Sequence, residues 1–118
     1  MKTILNVSNH ILTKEQLENL EEQNMHVVEM PDEIKTKFGN LNPSNYIDVC
    51  NDIIEYAKNE KIDTIHLAGF MPAVVYIYSQ KIFTCLYAYS KRESVETTGN
   101  NGEVIKKSIF KHLGFYKY

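Results

Sequence analysis

The spacing of apolar positions along the chain predicts a regular succession of strands and helices. Short apolar runs rich in β-branched residues predict strands, and apolar positions three or four residues apart predict helices. The predicted strands are 3–7, 26–30, 62–67, 82–89 and 104–110. The predicted helices are one capped by Thr13 and ending near Gln23, one from Pro43 to Lys58 or Asn59, and one over 73–80.

Local signals support the three helices and the turns between elements. Thr13 and Gln16 have the spacing of a capping box, and Asn42 is a suitable cap before Pro43. The segment 73–80 is ambiguous, because its β-branched residues favour a strand while Gly69 and Pro72 favour a helix start. We predict a short buried helix there. The segment 31–42 is predicted to be a loop with at most one helical turn, and 100–102 a turn.

This alternation of strands and helices predicts a three-layer α/β fold with a mainly parallel sheet. The last strand is expected to pair with strand 82–89, which adds an antiparallel C-terminal strand. The length of 118 residues fits a single domain, 1–118, large enough to bury a core without disulfides or metals.

Composition narrows the class of protein. Apolar residues make up 43% and charged residues 24%, which is typical of a soluble globular domain. No apolar run approaches the ~20 residues of a membrane span, and the first residues lack a signal peptide, so we expect a cytoplasmic protein without a membrane partner. Cys50, Cys85 and the four histidines show no ligand spacing, so we expect no metal and no cofactor.

Charge is distributed unevenly along the chain. Residues 1–90 carry 7 basic and 12 acidic side chains, whereas residues 91–118 carry 6 basic and 3 acidic ones. The C-terminal segment could attract an anion, or it could simply be lysine-rich and solvated. The excess is too small to predict binding to a long nucleic acid.

Arg92 is the only arginine, and the other 12 basic residues are lysines. A lone arginine suggests bidentate recognition of phosphate or carboxylate, which lysine performs poorly. The alternative is a surface ion pair with Glu93 or Glu96, and residue type alone leaves the two interpretations about equal.

The loops after the predicted strands are 8–10, 68–71 and 90–97. Because ligands bind beyond the carboxyl ends of parallel strands, Asn9, His10, Gly69, Arg92 and Ser94 are expected to converge at one edge. Asn9 and His10 either grip a ligand or form a solvated turn. The Gly69–Met71 segment either offers free N–H groups and a stacking ring to a nucleotide or forms a structural turn with Phe70 in the core. His66 is expected to be a buried core residue.

Three segments together resemble a known family. They are LNVSNHILTKEQ (5–16), YAYSKRESVE (87–96) and NGEVIKKSIFKHLGF (101–115). Their order and spacing are similar to those of the small stand-alone Csx proteins of type III CRISPR systems, the group with ring-nuclease members. The resemblance implies a Rossmann-like fold, as in cyclic-oligoadenylate sensors, and a homodimer that binds cyclic tetra-adenylate across its two-fold axis.

The resemblance also implies an activity. A ribose 2′-OH attacks its neighbouring phosphate without a metal, giving linear di-adenylate with 2′,3′-cyclic phosphate ends and switching off antiviral signalling. Arg92 would contact the scissile phosphate, Ser90 would donate a hydrogen bond, and His10 would assist proton transfer. The implied ligand-binding residues are Asn9, Gly69, Phe70, Met71, Lys91, Ser94, Glu96 and Lys106, with Glu96 orienting Arg92 or Lys106.

Two alternatives to an enzyme stay open. The chain reads Ala88-Tyr89-Ser90-Lys91-Arg92 where relatives often read Ala-Thr-Thr-x-Arg, and it has Phe115-Tyr116 in place of Phe-Arg. These departures weigh more against cleavage than against binding, so a non-catalytic protein that sequesters the cyclic oligoadenylate is the first alternative. The second is an adaptor domain whose polar edge binds a protein.

Overall fold

The computed structural model describes residues 2–118, which form a five-stranded sheet with four helices. The strands are β1 (Lys2–Val7), β2 (Met25–Glu29), β3 (Thr64–Leu67), β4 (Thr84–Thr98) and β5 (Val104–Lys117). The helices are α1 (Lys14–Glu22), α2 (Asp32–Phe38), α3 (Tyr46–Asn59) and α4 (Met71–Ser79). The strand order is β2-β1-β3-β4-β5; the first four strands are parallel and β5 is antiparallel to β4. The predicted α/β class, with a mainly parallel sheet and an antiparallel C-terminal strand, is confirmed.

Side chains alternate across the sheet and form two hydrophobic clusters. In the larger cluster Leu5 and Ile65 pack with residues of α2, α3 and α4. In the smaller cluster Ile4 and Leu86 pack with Leu20 of α1. Both cysteines are buried, Cys50 on α3 and Cys85 on β4, as small hydrophobic residues of the larger cluster.

Two of the predicted helices are confirmed, one of them at its predicted start. Gln16 N donates to Thr13 Oγ1 at 3.2 Å, and Thr13 N donates to Gln16 Oε1 at 2.9 Å, so the capping box is confirmed. The ambiguous segment after Gly69 is a helix, as predicted, and it starts two residues earlier than expected.

The predictions for residues 31–45 need correction. The expected loop contains α2, whose first turn carries Asp32 and Glu33, where the helix dipole favours acidic side chains, and whose Phe38 is buried. The next helix, α3, begins at Tyr46 rather than at Pro43. Asn42 does cap backbone groups, but its Oδ1 accepts from Ser44 N at 2.8 Å, which stabilises a turn before the helix.

The largest correction concerns residues 90–97, which are strand and not loop. The β4 strand continues to Thr98 and pairs with β5 as far as Val104, around a turn in which Gly102 has a φ of 80°. Almost every residue of this extension is exposed. Because both of its faces meet water, its sequence lacks the apolar alternation by which strands are recognised.

We call residues 90–112 the hairpin arm. The arm gives the molecule an elongated shape, with extents of 58 × 36 × 24 Å. At its base, a register shift between Tyr89 and Ser90 marks a bulge, a feature that bends and twists a strand pair. Among residues 2–118, none of the helices combines the length and the apolarity that a membrane crossing needs.

Candidate functional site

The loops after β1 and β3 lie side by side at the point where the sheet reverses its order. The chain passes from β1 to β2 on one side and later to β3 on the other, which leaves a crevice where α/β sheets bind ligands. Val7 pairs with Leu67, and Ala68 N donates to Val7 O at 3.1 Å, so the two loops begin at the same level. We call these loops, 8–10 and 68–71, the switch-point loops.

A buried hydrogen-bond network supports the first of these loops. The Asn6 Nδ2 group donates to His10 O at 2.9 Å and to the Glu29 carboxylate at 3.2 Å. The Asn6 Oδ1 atom lies 2.7 Å from Ser8 Oγ, which donates to it, and 2.9 Å from His66 Nδ1. The amide of Asn6 therefore uses all of its donor and acceptor capacity.

This network fixes the tautomer of His66. A carboxylate only accepts hydrogen bonds, so Glu29 must face the amide nitrogen of Asn6, and the amide oxygen must face His66. His66 Nδ1 therefore carries the hydrogen and Nε2 has the lone pair. Burial lowers the pKa of His66 to about 4, and repulsion from His10 adds to the effect, while Glu29 opposes it. His66 is buried, as predicted, and it is neutral at pH 7.

The network holds the backbone of the loop and leaves its side chains free. The carbonyl of His10 accepts from Asn6, and His10 N donates to Ser8 Oγ at 3.3 Å, while the Asn9 and His10 side chains are exposed. Sequence reasoning missed Asn6, Ser8 and Glu29. A signal was present, because an asparagine inside an apolar strand must find buried hydrogen-bond partners.

The second switch-point loop, 68–71, matches the interpretation as a structural turn better than the interpretation as a nucleotide site. Gly69 has a φ of 131°, a conformation that favours glycine, and Phe70 is half-buried with its ring 5.9 Å from that of Tyr46. Few N–H groups remain for an anion, because Pro72 has none and Ala73 N donates to Phe70 O at 3.0 Å. Met71 is 66% exposed at this helix start.

A second group of predicted residues lies on one face of the hairpin arm. Directly paired residues of an antiparallel ladder point to the same side. The register pairs Ser90 with His112, Arg92 with Phe110 and Glu96 with Lys106. We call this surface the Arg92 face; its residues are Ser90, Arg92, Ser94, Glu96, Lys106, Ser108, Phe110 and His112. The predicted site residue Lys91 does not belong to it, because it pairs with Lys111 on the opposite face.

Arg92 is not in an ion pair. Its guanidinium carbon lies 5.1 Å from the centre of the Phe110 ring, and no carboxylate lies within ion-pair distance of it among residues 2–118. Glu93 points to the opposite face, and Glu96 lies 3.9 Å from Lys106 Nζ instead. The surface ion pair considered for Arg92 is therefore wrong, and Glu96 is placed to orient Lys106.

The switch-point loops and Arg92 do not converge within one chain. Since His66 pairs with Leu86, Gly69 is level with Tyr89, and Arg92 lies three residues farther along β4, ~10 Å beyond the loops. The expected convergence depended on residues 90–97 being a loop, and it is wrong for that reason. A row of rings leads toward the arm: His66 lies 5.6 Å from Phe115, and Phe115 lies 5.0 Å from His112.

His112 is held at the base of the arm. Its Nε2 lies 3.1 Å from Asn19 Oδ1 on α1, and its Nδ1 is buried and has no hydrogen-bond partner in the part of the chain that the structure describes. Within the described part of the chain, no three histidine, cysteine or acidic side chains cluster as metal ligands would.

A family model described as "Uncharacterized protein MJ1673 family" matches residues 2–116. The chain belongs to the MJ1673 family. No curated protein and no solved structure matches it significantly. The region matched by the MJ1673 family includes both the switch-point loops and the entire Arg92 face, so neither lies in an appended segment.

Proposed function

We propose that this MJ1673-family domain is a metal-independent ring nuclease that binds cyclic tetra-adenylate as a homodimer and degrades it, switching off type III CRISPR signalling. The observation that carries the proposal is the state of Arg92. Its guanidinium has no acidic partner within residues 2–118, it rests on the Phe110 ring, and it shares a face with the Ser90 and Ser94 hydroxyls. This set of donors beside an exposed ring suits a phosphodiester with an adenine next to it.

The proposed reaction needs positioning and charge stabilisation only. The ribose 2′-oxygen bonds to the adjacent phosphorus and loses its proton, while the bond from phosphorus to the 5′-oxygen breaks and that oxygen gains a proton. Arg92 stabilises the non-bridging oxygens, Ser90 donates a hydrogen bond, and His10 transfers the proton. Two such cuts convert the ring into two linear di-adenylates with 2′,3′-cyclic phosphate ends.

The homodimer completes the site in this proposal. Because Arg92 lies ~10 Å beyond the switch-point loops of its own chain, a ring bound between the two copies contacts Arg92 of one copy and the switch-point loops of the other. The Rossmann-like, three-layer classification and the cytoplasmic location belong to the same proposal.

The same separation favours a second candidate function. If Arg92 and His10 act on different phosphates of the ring, they hold it without completing an in-line attack. The protein would then bind and sequester the second messenger without cutting it.

A product assay separates the two functions. Stoichiometric protein is incubated with labelled cyclic tetra-adenylate in the presence of a chelator, and the products are resolved by chromatography. Linear di-adenylate supports the nuclease, and tight binding of an intact ring supports sequestration. Arg92→Ala should abolish both effects, whereas Lys2→Ala, which removes a lysine at the amino end of β1, far from the switch-point loops and the arm, should leave them in place. A wild-type protein that does not bind the ring would overturn both functions.

A further inference from the structure

One side of the molecule exposes an unusually apolar surface. On α4, Met71, Val75 and Tyr78 lie on one helix face and are 66%, 58% and 50% exposed. No charged residue occurs in α4. A helix that is apolar on its outer face as well as its inner face is normally buried on both. We call these three residues the α4 stripe.

The stripe continues into a group of tyrosines at the base of the arm. Tyr78 lies 6.0 Å from Tyr118, Tyr118 lies 5.2 Å from Tyr87, and Tyr116 lies 6.0 Å from Tyr89. We call Tyr78, Tyr87, Tyr89, Tyr116 and Tyr118 the tyrosine patch; each of them is at least 37% exposed. Exposed apolar patches of this kind mark interaction surfaces, where tyrosine is enriched.

The hairpin arm extends the same surface outward. On the arm face opposite Arg92 lie Val95, Ile105 and Ile109, together with three lysines, Lys91, Lys107 and Lys111, and one acidic residue, Glu93. An isolated two-stranded hairpin is only marginally stable in water, so an arm with apolar residues on this face is suited to lie against a partner.

We propose that this surface is the interface between two copies of the chain, with the arm of each copy lying on the α4 stripe of the other. The proposal deepens the proposed function, because it rests on the same homodimer and says which surface forms it. The Arg92 face is the other face of the arm, so this contact leaves it uncovered, beside the partner's switch-point loop that leads into α4.

Charge complementarity favours a second copy as the occupant. The arm carries five basic and three acidic residues, whereas the rest of the chain carries eight basic and twelve acidic ones. A lysine-bearing arm that reaches a second copy therefore meets an acidic body with an apolar stripe.

The dimensions also fit this arrangement. From Ser90 to Thr98 the arm extends ~27 Å, roughly twice the ~13 Å length of α4. An isologous dimer whose axis passes near the tyrosine patch therefore lets both arms reach the partner's helix. Each copy supplies one arm and one stripe, so the dimer uses both arms and both stripes and leaves neither for a third copy.

Solution mass with surface variants tests the interface. Light scattering and sedimentation of the full chain, without nucleotide, should give twice the mass of the 13.7 kDa chain. Val75→Glu and Ile109→Glu should each weaken the dimer by about ten-fold or more. Ile11→Glu is the matched control, because Ile11 is 84% exposed in the loop before α1, outside the proposed surface, and this variant should stay dimeric.

Cross-linking provides a measurement that does not depend on the variants. A carbodiimide applied to a mixture of isotopically light and heavy chains should join Lys107 or Lys111 of one copy to a carboxylate outside the arm of the other. A monomeric wild type, or a dimer that both variants leave intact, would overturn the interface. A dimer of the expected kind that does not bind cyclic tetra-adenylate would instead overturn the proposed function and leave the interface standing.

Discussion

The guanidinium of Arg92 lies over the ring of Phe110, 5.1 Å from its centre, on a strand pair that projects into solvent. The ring side of the guanidinium is occupied, and its N–H edges are free of acidic partners among residues 2–118. A planar cation held in this way is oriented before an anion arrives. This pair therefore lets a single arginine on an exposed strand pair present a defined geometry to an anion.

Replacing Arg92 by lysine tests this geometry. Arg92→Lys keeps the charge but loses the flat fork, so we expect binding of cyclic tetra-adenylate to weaken about ten-fold. The free energy of unfolding should change by less than about 1 kcal/mol, because the contact is exposed. Calorimetric titration and urea unfolding give the two values. Unfolding of the domain by Arg92→Lys or Arg92→Ala would mean that the residue is structural.

His66 predicts how stability depends on pH. Its pKa is about 4 in the folded protein, against an ordinary value near 6.5, so between these values the unfolded chain binds more protons. The contribution of neutral His66 to the free energy of unfolding is complete above pH 6.5 and is lost as pH falls toward 4. The loss has a limit of about 3 kcal/mol.

Urea unfolding from pH 7 to pH 4.5 measures this effect. In His66→Asn the amide keeps a donor near the position of Nδ1. Between pH 6.5 and 4.5 this variant should lose markedly less free energy of unfolding than the wild type. His26→Gln, at an exposed position, should follow the wild-type profile. Equal slopes for wild type and His66→Asn would contradict the assignment of the pH dependence to His66.

The amide of Asn6 is expected to be the most sensitive polar group of the fold. Asn6→Asp places a second carboxylate within reach of Glu29 and removes the donor to His10 O. We expect a loss of about 2–4 kcal/mol of unfolding free energy at pH 7. Asn40→Asp is the control, because its amide makes an exposed bond to Thr36 O and should cost less than about 1 kcal/mol. A comparable loss in both variants would count against the network.

Gly69 is expected to tolerate no side chain. Its φ of 131° is costly for alanine, although the nearest atoms of Phe38 would be 3.6 Å from an added Cβ, which is an ordinary contact. Gly69→Ala should therefore destabilise the domain by about 1–3 kcal/mol through backbone strain alone. Gly39, whose φ is −72°, is the matched control, and Gly39→Ala should be neutral or slightly stabilising in thermal unfolding. Equal stability of the two variants would show that the loop 68–71 adjusts to the added side chain without cost, and it would contradict the prediction.

Local sequence signals predicted most of the strands and helices that bury one face in the core and expose the other. The capping box of α1, the alternation of strands and helices and the antiparallel final strand follow from the spacing of residues near one another. The prediction failed for residues 90–97, because a hairpin with two solvated faces has no apolar period, and for α2, because the surrounding prolines, glycine and asparagines resemble a loop.

The sequence by itself determined the five strands and three of the four helices, and it singled out Arg92 and the Asn9–His10 loop as chemically notable. The tertiary structure alone decided what these residues contact. Asn6 meets Glu29 and His66, which are 23 and 60 residues away, and Arg92 stands ~10 Å beyond the loops it was expected to join. Periodicity reports local burial, whereas hydrogen-bond partners and strand length depend on pairing between distant segments, which a single sequence does not encode in any local pattern.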